Sequence, residues 1–234
     1  MSKRNKRVIS ILLTLAVIFM LPAANVSAKK NTVTDAQLKK AMKCYANLLA
    51  TNPYESVDGG FTAETFLLKD LDLDGMPELV INGDAPQIFS YDLKNNTEIF
   101  MYNSWVSNTL YYSSKTKTIL YTYEWKGKKE WSFYQVKNTQ ENDAFSIMEP
   151  SGDFYSYTDG KYDEYASNKV KKGYYIGYYG SEDAKKTTKK ALDKAINKLV
   201  PDKTELKTTI KNTSANRKKY LSNLKEFKKF SGAK

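Results

Sequence analysis

The chain contains no histidine. This absence excludes Ser-His-Asp and Cys-His catalysis, and it excludes zinc sites of the HExxH type, because all of these need an imidazole. An enzyme with this composition would have to use carboxylates, lysine, tyrosine or a hard metal ion. The missing histidine therefore narrows the available chemistry more than any other feature of the composition.

Cysteine is nearly absent too, because Cys44 is the single one. An intrachain disulfide is therefore excluded, even if the chain reaches an oxidising compartment. Cys44 lies on the apolar face of a predicted helix, so we interpret it as a small buried hydrophobic residue rather than a nucleophile. A secreted chain without disulfides needs another stabilising device, and a structural cation is one.

The N-terminus has the features of a secretory signal. Four basic residues and no acidic one lie in residues 1–7, and an apolar run of 14 residues follows from Val8 to Leu21. Val26-Ser27-Ala28 then places small residues at the positions that a signal peptidase reads. The run is shorter than the roughly 20 residues that span a bilayer. We therefore expect cleavage after Ala28, a secreted product without a membrane span, and no lipid anchor, since no cysteine follows the run.

The mature chain would have 206 residues with 33 basic and 26 acidic ones, a formal net charge of +7. This length can bury a sizeable core. The positive charge suits an anionic neighbourhood such as teichoic acids, a membrane surface or acidic glycans. A solvated lysine-rich surface is the alternative explanation. No nucleic-acid-binding signature accompanies the charge.

Helices are predicted near both ends of the mature chain. Thr34 and Gln37 form a capping box, and apolar residues then recur at helical spacing as far as Thr51. A second helix is predicted from an N-cap at Ser181 to the residues before Pro201, and a last basic helix over 216–230.

The middle of the chain indicates strands. Residues 85–179 hold 15 of the 18 tyrosines and all three tryptophans, in short alternating runs separated by polar turns. This pattern is typical of an antiparallel meander. We expect an α+β fold, in which a tyrosine-rich antiparallel β-meander sheet carries the N-terminal helix and the C-terminal helices. The predicted organisation is a signal peptide over 1–28, a helix, calcium loop and meander over 29–180, and a helical tail over 181–234 packed on the same domain.

One acidic stretch between two apolar segments carries specific chemistry. Its carboxylates alternate, and Gly75 permits a sharp turn among them. In a coiled loop the alternate side chains converge, and carboxylates this close repel one another unless a cation lies between them. Oxygen ligands of this kind suit Ca²⁺ better than Mg²⁺, which keeps more water. The predicted ligands are the side chains of Asp70, Asp72, Asp74 and Glu78 and the backbone carbonyl of Met76.

The loop is EF-hand-like only over its first nine positions, because Ile81 stands where an EF-hand has its bidentate Glu at position 12. The apolar flanks predict a strand–loop–strand hairpin instead. The metal-free alternative is a solvated acidic turn. Because every predicted ligand comes from one loop with no base or nucleophile nearby in the sequence, we expect the ion to be structural.

Asp-x-Asp-x-Asp-Gly-x-Pro-Glu-Leu between two strands resembles the calcium loop of FG-GAP/VCBS-type repeats. More closely, the chain resembles small secreted proteins and lipoproteins of Gram-positive, often gut-dwelling, bacteria. Those combine a signal peptide, an N-terminal helix, this loop, a tyrosine-rich meander and a helical tail. The resemblance implies an extracellular location and a calcium ion, and it implies no reaction.

Three functions fit these observations. The first is a non-enzymatic extracellular module that presents aromatic residues to a glycan or an anionic cell-wall polymer. The second is a protein–protein interaction factor, such as an inhibitor. The third is a carboxylate-dependent glycosidase, although no pattern selects a pair of acids. Candidate stacking residues are Trp105, Trp125, Trp131 and the pairs Tyr111-Tyr112 and Tyr174-Tyr175.

Overall fold

The computed structural model describes residues 33–51, 63–82, 86–103, 109–140, 147–160 and 171–233. The expected signal peptide, residues 1–28, lies outside the described residues. The described helices are α1 (Asp35–Thr51), α2 (Lys189–Leu199), α3 (Ser214–Leu221) and α4 (Leu224–Ser231). None of them is both long and apolar enough to cross a membrane.

Two antiparallel sheets contain the described strands. The strands are β1 (Thr65–Lys69), β2 (Glu78–Asn82), β3 (Gln87–Asp92), β4 (Thr97–Asn103), β5 (Thr109–Ser113), β6 (Thr118–Trp125), β7 (Lys128–Val136), β8 (Met148–Pro150), β9 (Tyr155–Thr158), β10 (Gly173–Ile176), β11 (Lys185–Thr187), β12 (Thr204–Glu205) and β13 (Ile210–Lys211). The first sheet has the order β13-β1-β2-β3-β4, and the second has the order β11-β10-β9-β7-β6-β5-β12, with β8 paired to β7.

Three buried clusters place the elements in layers. One cluster joins α1, α3 and α4 to one face of the first sheet, through residues such as Tyr45, Phe66 and Phe227. The second cluster lies between the sheets and includes Val80 from the first and Ile119 from the second. The third joins α2 to the outer face of the second sheet. The described residues therefore form four layers, which are in order the helices α1, α3 and α4, the first sheet, the second sheet, and α2.

The expected α+β class, with antiparallel sheets and packed terminal helices, is confirmed. The expected single meander is divided into two sheets that face each other. This division explains why β3 is buried at nearly every position rather than at alternate ones. Its two faces contact a helical layer and the second sheet, so both must be apolar.

Short-range sequence signals, a capping box and a tight polar turn, explain where α1 begins and where β6 and β7 are joined. The Thr34 backbone N–H donates to Gln37 Oε1 at 2.7 Å, and the Gln37 N–H donates to Thr34 Oγ1 at 3.3 Å, so the capping box is confirmed. The buried residues of α1 recur at the predicted helical spacing. The hairpin β6–β7 pairs Trp125 with Lys128 across a tight turn in which Gly127 has a φ of +80°.

The C-terminal part differs from the prediction in two ways. Residues 181–187 do not begin a helix, because 185–187 pair with β10, and Thr188 caps α2 instead by accepting from the Ala191 N–H. The last helix is interrupted where Asn223 caps α4. Between α2 and α3 lie two short strands, β12 and β13, which pair with β5 and β1 and so add one strand to each sheet.

Candidate functional site

The acidic residues lie in the connection between β1 and β2. These strands pair in antiparallel register as far as Lys69 and Glu78, so residues 70–77 form the loop of a hairpin, as predicted. Two residues of the loop take positive φ, Leu73 at 60° and Gly75 at 98°. Glycine reaches this region without strain, whereas Leu73 must be held there by its surroundings.

The loop coils around its own carboxylates. Asp72 Oδ1 accepts from the Asp74 N–H at 3.1 Å, and Asp74 Oδ1 accepts from the Met76 N–H at 2.7 Å. Asp70 Oδ2 accepts from the Gly75 N–H at 3.1 Å. Each of these aspartate carboxylates accepts a hydrogen bond from a backbone N–H further along the chain. Because the aspartates occupy alternate positions, these hydrogen bonds fold the backbone around them.

Glu78 closes the loop from its far end. Its side chain is fully buried, with Oε2 accepting from the Leu71 N–H at 2.6 Å and Oε1 accepting from Ser90 Oγ at 3.0 Å. Glu78 shares its strand face with Val80 and so points into the layer between the two sheets. A carboxylate at this depth needs a partner that offsets its lost hydration.

Three of the predicted ligands come together as a group that could hold a metal ion. One carboxylate oxygen from each of Asp70, Asp72 and Glu78 lies within 4.8 Å of the others. Asp70 Oδ1 is buried and has no hydrogen-bond partner among the described residues. Asp74 is not part of this group. The backbone N–H of Met76 donates to Asp74 Oδ1. That Asp74 and the Met76 carbonyl complete the ligand set stays a prediction.

Burial and mutual repulsion disfavour ionisation of the group. Burial, and next the charge of Asp72, raise the pKa of Asp74 to about 7. The same two causes raise the pKa of Asp70 and raise that of Glu78 well above its usual range. The metal-free site would therefore take up protons at a pH where ordinary carboxylates are ionised. A cation placed among these oxygens would remove the cause of the shifts.

The lysines and arginine of the described residues do not supply that charge. Among the described residues, none of the four acidic side chains forms an ion pair with lysine or arginine. Lys117 Nζ donates to the backbone carbonyl of Asp72 rather than to a carboxylate. The atoms of this group that could coordinate a metal are all oxygens, and oxygen ligands are typical of hard divalent cations. The residues present therefore fit a metal ion of that class.

Side chains from both layers around the first sheet hold the loop. Tyr45, from α1, donates its hydroxyl to the Pro77 carbonyl at 2.9 Å. Tyr112, from β5 of the second sheet, donates to the Leu71 carbonyl at 2.6 Å. The Thr139 N–H, just after β7, donates to Asp72 Oδ2 at 2.7 Å. The loop thus joins the two sheets and the helical layer at one point.

Sequence reasoning missed these contributions from outside the loop. Thr139 and Tyr112 are separated from their loop partners by 67 and 41 residues, respectively. Ser90, which bonds both Glu78 and Thr139, was also not identified. No local signal marks them, because each is a single polar group at a strand position or turn. Only the packing of the sheets brings them to the loop.

The candidate stacking residues divide between the core and the surface. Tyr112 and Tyr175 are buried, Trp125 is 39% exposed, and Trp105 lies outside the described residues. The other named rings, Tyr111, Trp131 and Tyr174, are partly exposed and pack at the margin of the cluster beneath α2. Three of the candidate stacking residues therefore lie partly exposed on the outer face of the second sheet.

Cys44 has little nucleophilic character. It is half-buried on α1, and its thiol donates to Glu98 Oε2 at 3.5 Å. Burial, followed by the charge of Glu98, raises the pKa of the thiol to about 12. The thiolate is therefore scarce near neutral pH.

No protein-family model, curated protein or solved structure matches this chain. The acidic loop and the outer face of the second sheet are therefore the features of this molecule from which a function can be inferred.

Proposed function

We propose that the protein is a secreted, non-enzymatic calcium-binding module, in which a structural Ca²⁺ stabilises the junction of the two sheets and an aromatic surface binds an extracellular polymer. The metal part rests on the group formed by Asp70, Asp72 and Glu78. Within it, Asp70 Oδ1 is buried and has no hydrogen-bond partner among the described residues. An ion there would offset the repulsion between buried carboxylates.

Calcium is favoured over magnesium by the number and type of oxygens near the group. The four carboxylates of the loop, together with the predicted Met76 carbonyl, suit a coordination number of about six to eight, whereas Mg²⁺ usually keeps several waters and uses one or two carboxylates. The structural role is favoured because the loop contacts are to backbone groups and core side chains. Tyr112 of β5 and Thr139, which follows β7, both bind this loop.

Secretion is supported by the sequence of residues 1–28, and the resemblance to secreted proteins of Gram-positive bacteria points to the same location. A polymer of that environment, either a glycan or an anionic cell-wall polymer, is the proposed partner. The positive net charge and the partly exposed rings on the second sheet support this choice.

Melting curves test the metal part of the proposal. After removal of metal by a chelator, excess Ca²⁺ should raise Tm, and Mg²⁺ at the same concentration should raise it less. Identical curves in calcium and in chelator would refute the calcium site. Secretion is tested by the mass of the protein recovered from culture medium, which should correspond to a chain beginning at Lys29.

Retention on insoluble material tests the binding part. The calcium-loaded protein should sediment with purified Gram-positive cell walls and should be released by salt, because a charge-based contribution is screened. A protein that stays in solution with walls and with insoluble polysaccharides would rule out this partner class. It would leave the interaction factor as the better explanation.

A further inference from the structure

A groove of about 420 Å³ lies on the outer face of the second sheet. Strands β5, β6 and β7 form its floor, and Ile196 of α2 together with Lys203 after that helix borders it. Its volume falls in the range of roughly 300–1,000 Å³ that small-molecule sites occupy. The lining residues are Thr109, Tyr111, Leu120, Thr122, Tyr123, Glu124, Lys129, Trp131, Ile196 and Lys203.

The strand register arranges the floor in rows. Thr109 pairs with Thr122, and Thr122 pairs with Trp131, so these three side chains share one face and cross the groove in a line. Glu124 pairs with Lys129 in the next row, where their charged ends are 2.6 Å apart. The floor thus alternates hydroxyl groups with an ion pair and places aromatic rings at its margins.

This combination fits a carbohydrate. A sugar ring has apolar C–H faces that pack on aromatic rings such as Trp131 and Tyr111, and hydroxyl groups that need donors and acceptors such as Thr122 and Glu124. An extended peptide fits less well, because peptides commonly add to an unpaired strand edge. Here β5, β6 and β7 each have a neighbouring strand on both sides.

The charges of the groove favour an acidic sugar. Glu124 and Lys129 neutralise each other, and Glu124 is the only carboxylate among the described lining residues. Lys203 adds a positive charge next to an aromatic ring, with its Nζ 5.7 Å from the centroid of Tyr111. A single, ion-paired carboxylate also favours binding over hydrolysis, since glycosidases typically use two acids.

We propose that this groove binds a short acidic oligosaccharide, with a sugar ring against Trp131 or Tyr111 and a ligand carboxylate facing Lys203. The inference rests on the proposed function, because it names the ligand class and the site of the polymer-binding surface. Phosphate polymers without sugar rings would engage Lys203 but could not use the aromatic margins.

Binding of a galacturonic acid trimer to the full chain tests the inference. Replacing Trp105 and Trp125 by phenylalanine leaves Trp131 as the single tryptophan, so its fluorescence reports on the groove. The emission should change on addition of the trimer and should change far less with the uncharged galactose trimer. Equal responses to the two sugars would overturn the acidic specificity.

Variants locate the site by calorimetry. Lys203→Ala should weaken binding of the acidic trimer by about fivefold, as expected for one partly exposed charge contact. Tyr111→Leu should weaken it by about tenfold through the lost ring. Lys190→Ala, the same charge change at an exposed α2 residue that does not line the groove, should bind like the wild type.

Wall sedimentation of the same variants separates the two proposals. Suppose that the wild type binds walls, and that Lys203→Ala and Tyr111→Leu bind both walls and trimer with the same affinity as the control Lys190→Ala. The groove is then refuted and the polymer-binding function stands. If the wild type binds walls but not the trimer, the acidic oligosaccharide is refuted. Absence of binding to walls and to both trimers refutes the binding function and the groove together.

Discussion

Replacing Asp70 by asparagine should have opposite effects on stability in the absence and in the presence of calcium. Without the ion, Asp70 repels Asp72 and Glu78, whose ligand oxygens lie within 4.8 Å. At such separations and an effective dielectric of about 20, two full charges repel by about 3–4 kcal/mol. Proton uptake relieves much of this repulsion, since the pKa of Asp70 is raised by burial and by Asp72.

We therefore expect a net gain of about 1 kcal/mol for the metal-free variant, which corresponds to about 2–4 °C in Tm for a chain of this size. Asparagine keeps an oxygen that can accept from the Gly75 N–H, so the loop conformation is preserved. Its amide can donate to a neighbouring carboxylate. The substitution thus removes a charge and leaves the backbone contacts of the loop in place.

With calcium the order of stability should reverse. An ion that binds only the folded state stabilises it by about 2.7 kcal/mol at one hundred times its Kd, or about 5–10 °C. Asp70→Asn removes a charged ligand and should lose most of this gain. The two proteins are compared by calorimetric melting in chelator and in a calcium series.

Asp92→Asn is the matched control for this experiment. Asp92 also accepts from backbone N–H groups in a turn, those of Lys94 and Asn95, but it is not part of the carboxylate group. Its calcium-induced shift should equal that of the wild type. The reasoning is refuted if Asp70→Asn keeps the full shift, or if it melts well below the wild type in chelator.

Three further outcomes are expected. The pKa of Asp74 is about 7 in the metal-free fold against a reference value of 3.8, so the stability linked to its protonation is present below the reference pKa and is lost as the pH rises through 7. Tm in chelator should therefore fall between pH 5 and pH 8, and the increase in Tm caused by calcium should grow over the same range. Tyr112→Phe leaves the buried Leu71 carbonyl unpaired and should lower the free energy of unfolding by about 1–2 kcal/mol in urea titrations. Cys44, whose thiol pKa is about 12, should react with iodoacetamide at pH 8 much more slowly in the folded than in the urea-unfolded protein.

Local signals made the beginning and the middle of the fold predictable. The capping box of α1 and the pairing of β6 with β7 across a short polar turn depend on neighbouring residues alone, and both are confirmed. The division into two sheets was not predictable in this way. Strands β4 and β5 are consecutive but belong to different sheets, and both have the same aromatic character.

The acidic loop was predictable for the same reason, since its aspartates and Gly75 act within one short segment. Its surroundings were not, because Tyr112 and Thr139 reach the loop only after the two sheets pack. The apolar flanks predicted that the acidic loop joins the two strands of one hairpin. The structure places it at the junction of both sheets, where an ion would affect the whole fold.

Isothermal titration of calcium into the chelator-treated full chain tests the central claim most directly. We predict saturable binding of one ion per chain, with a Kd in the range of about 10⁻⁷–10⁻³ M seen for oxygen-ligand loops. The binding should be abolished or strongly weakened in Asp70→Asn and unchanged in Asp92→Asn. A chain that takes up no calcium at millimolar concentration, or that binds it equally well in both variants, would contradict the assignment of this carboxylate group as a calcium site.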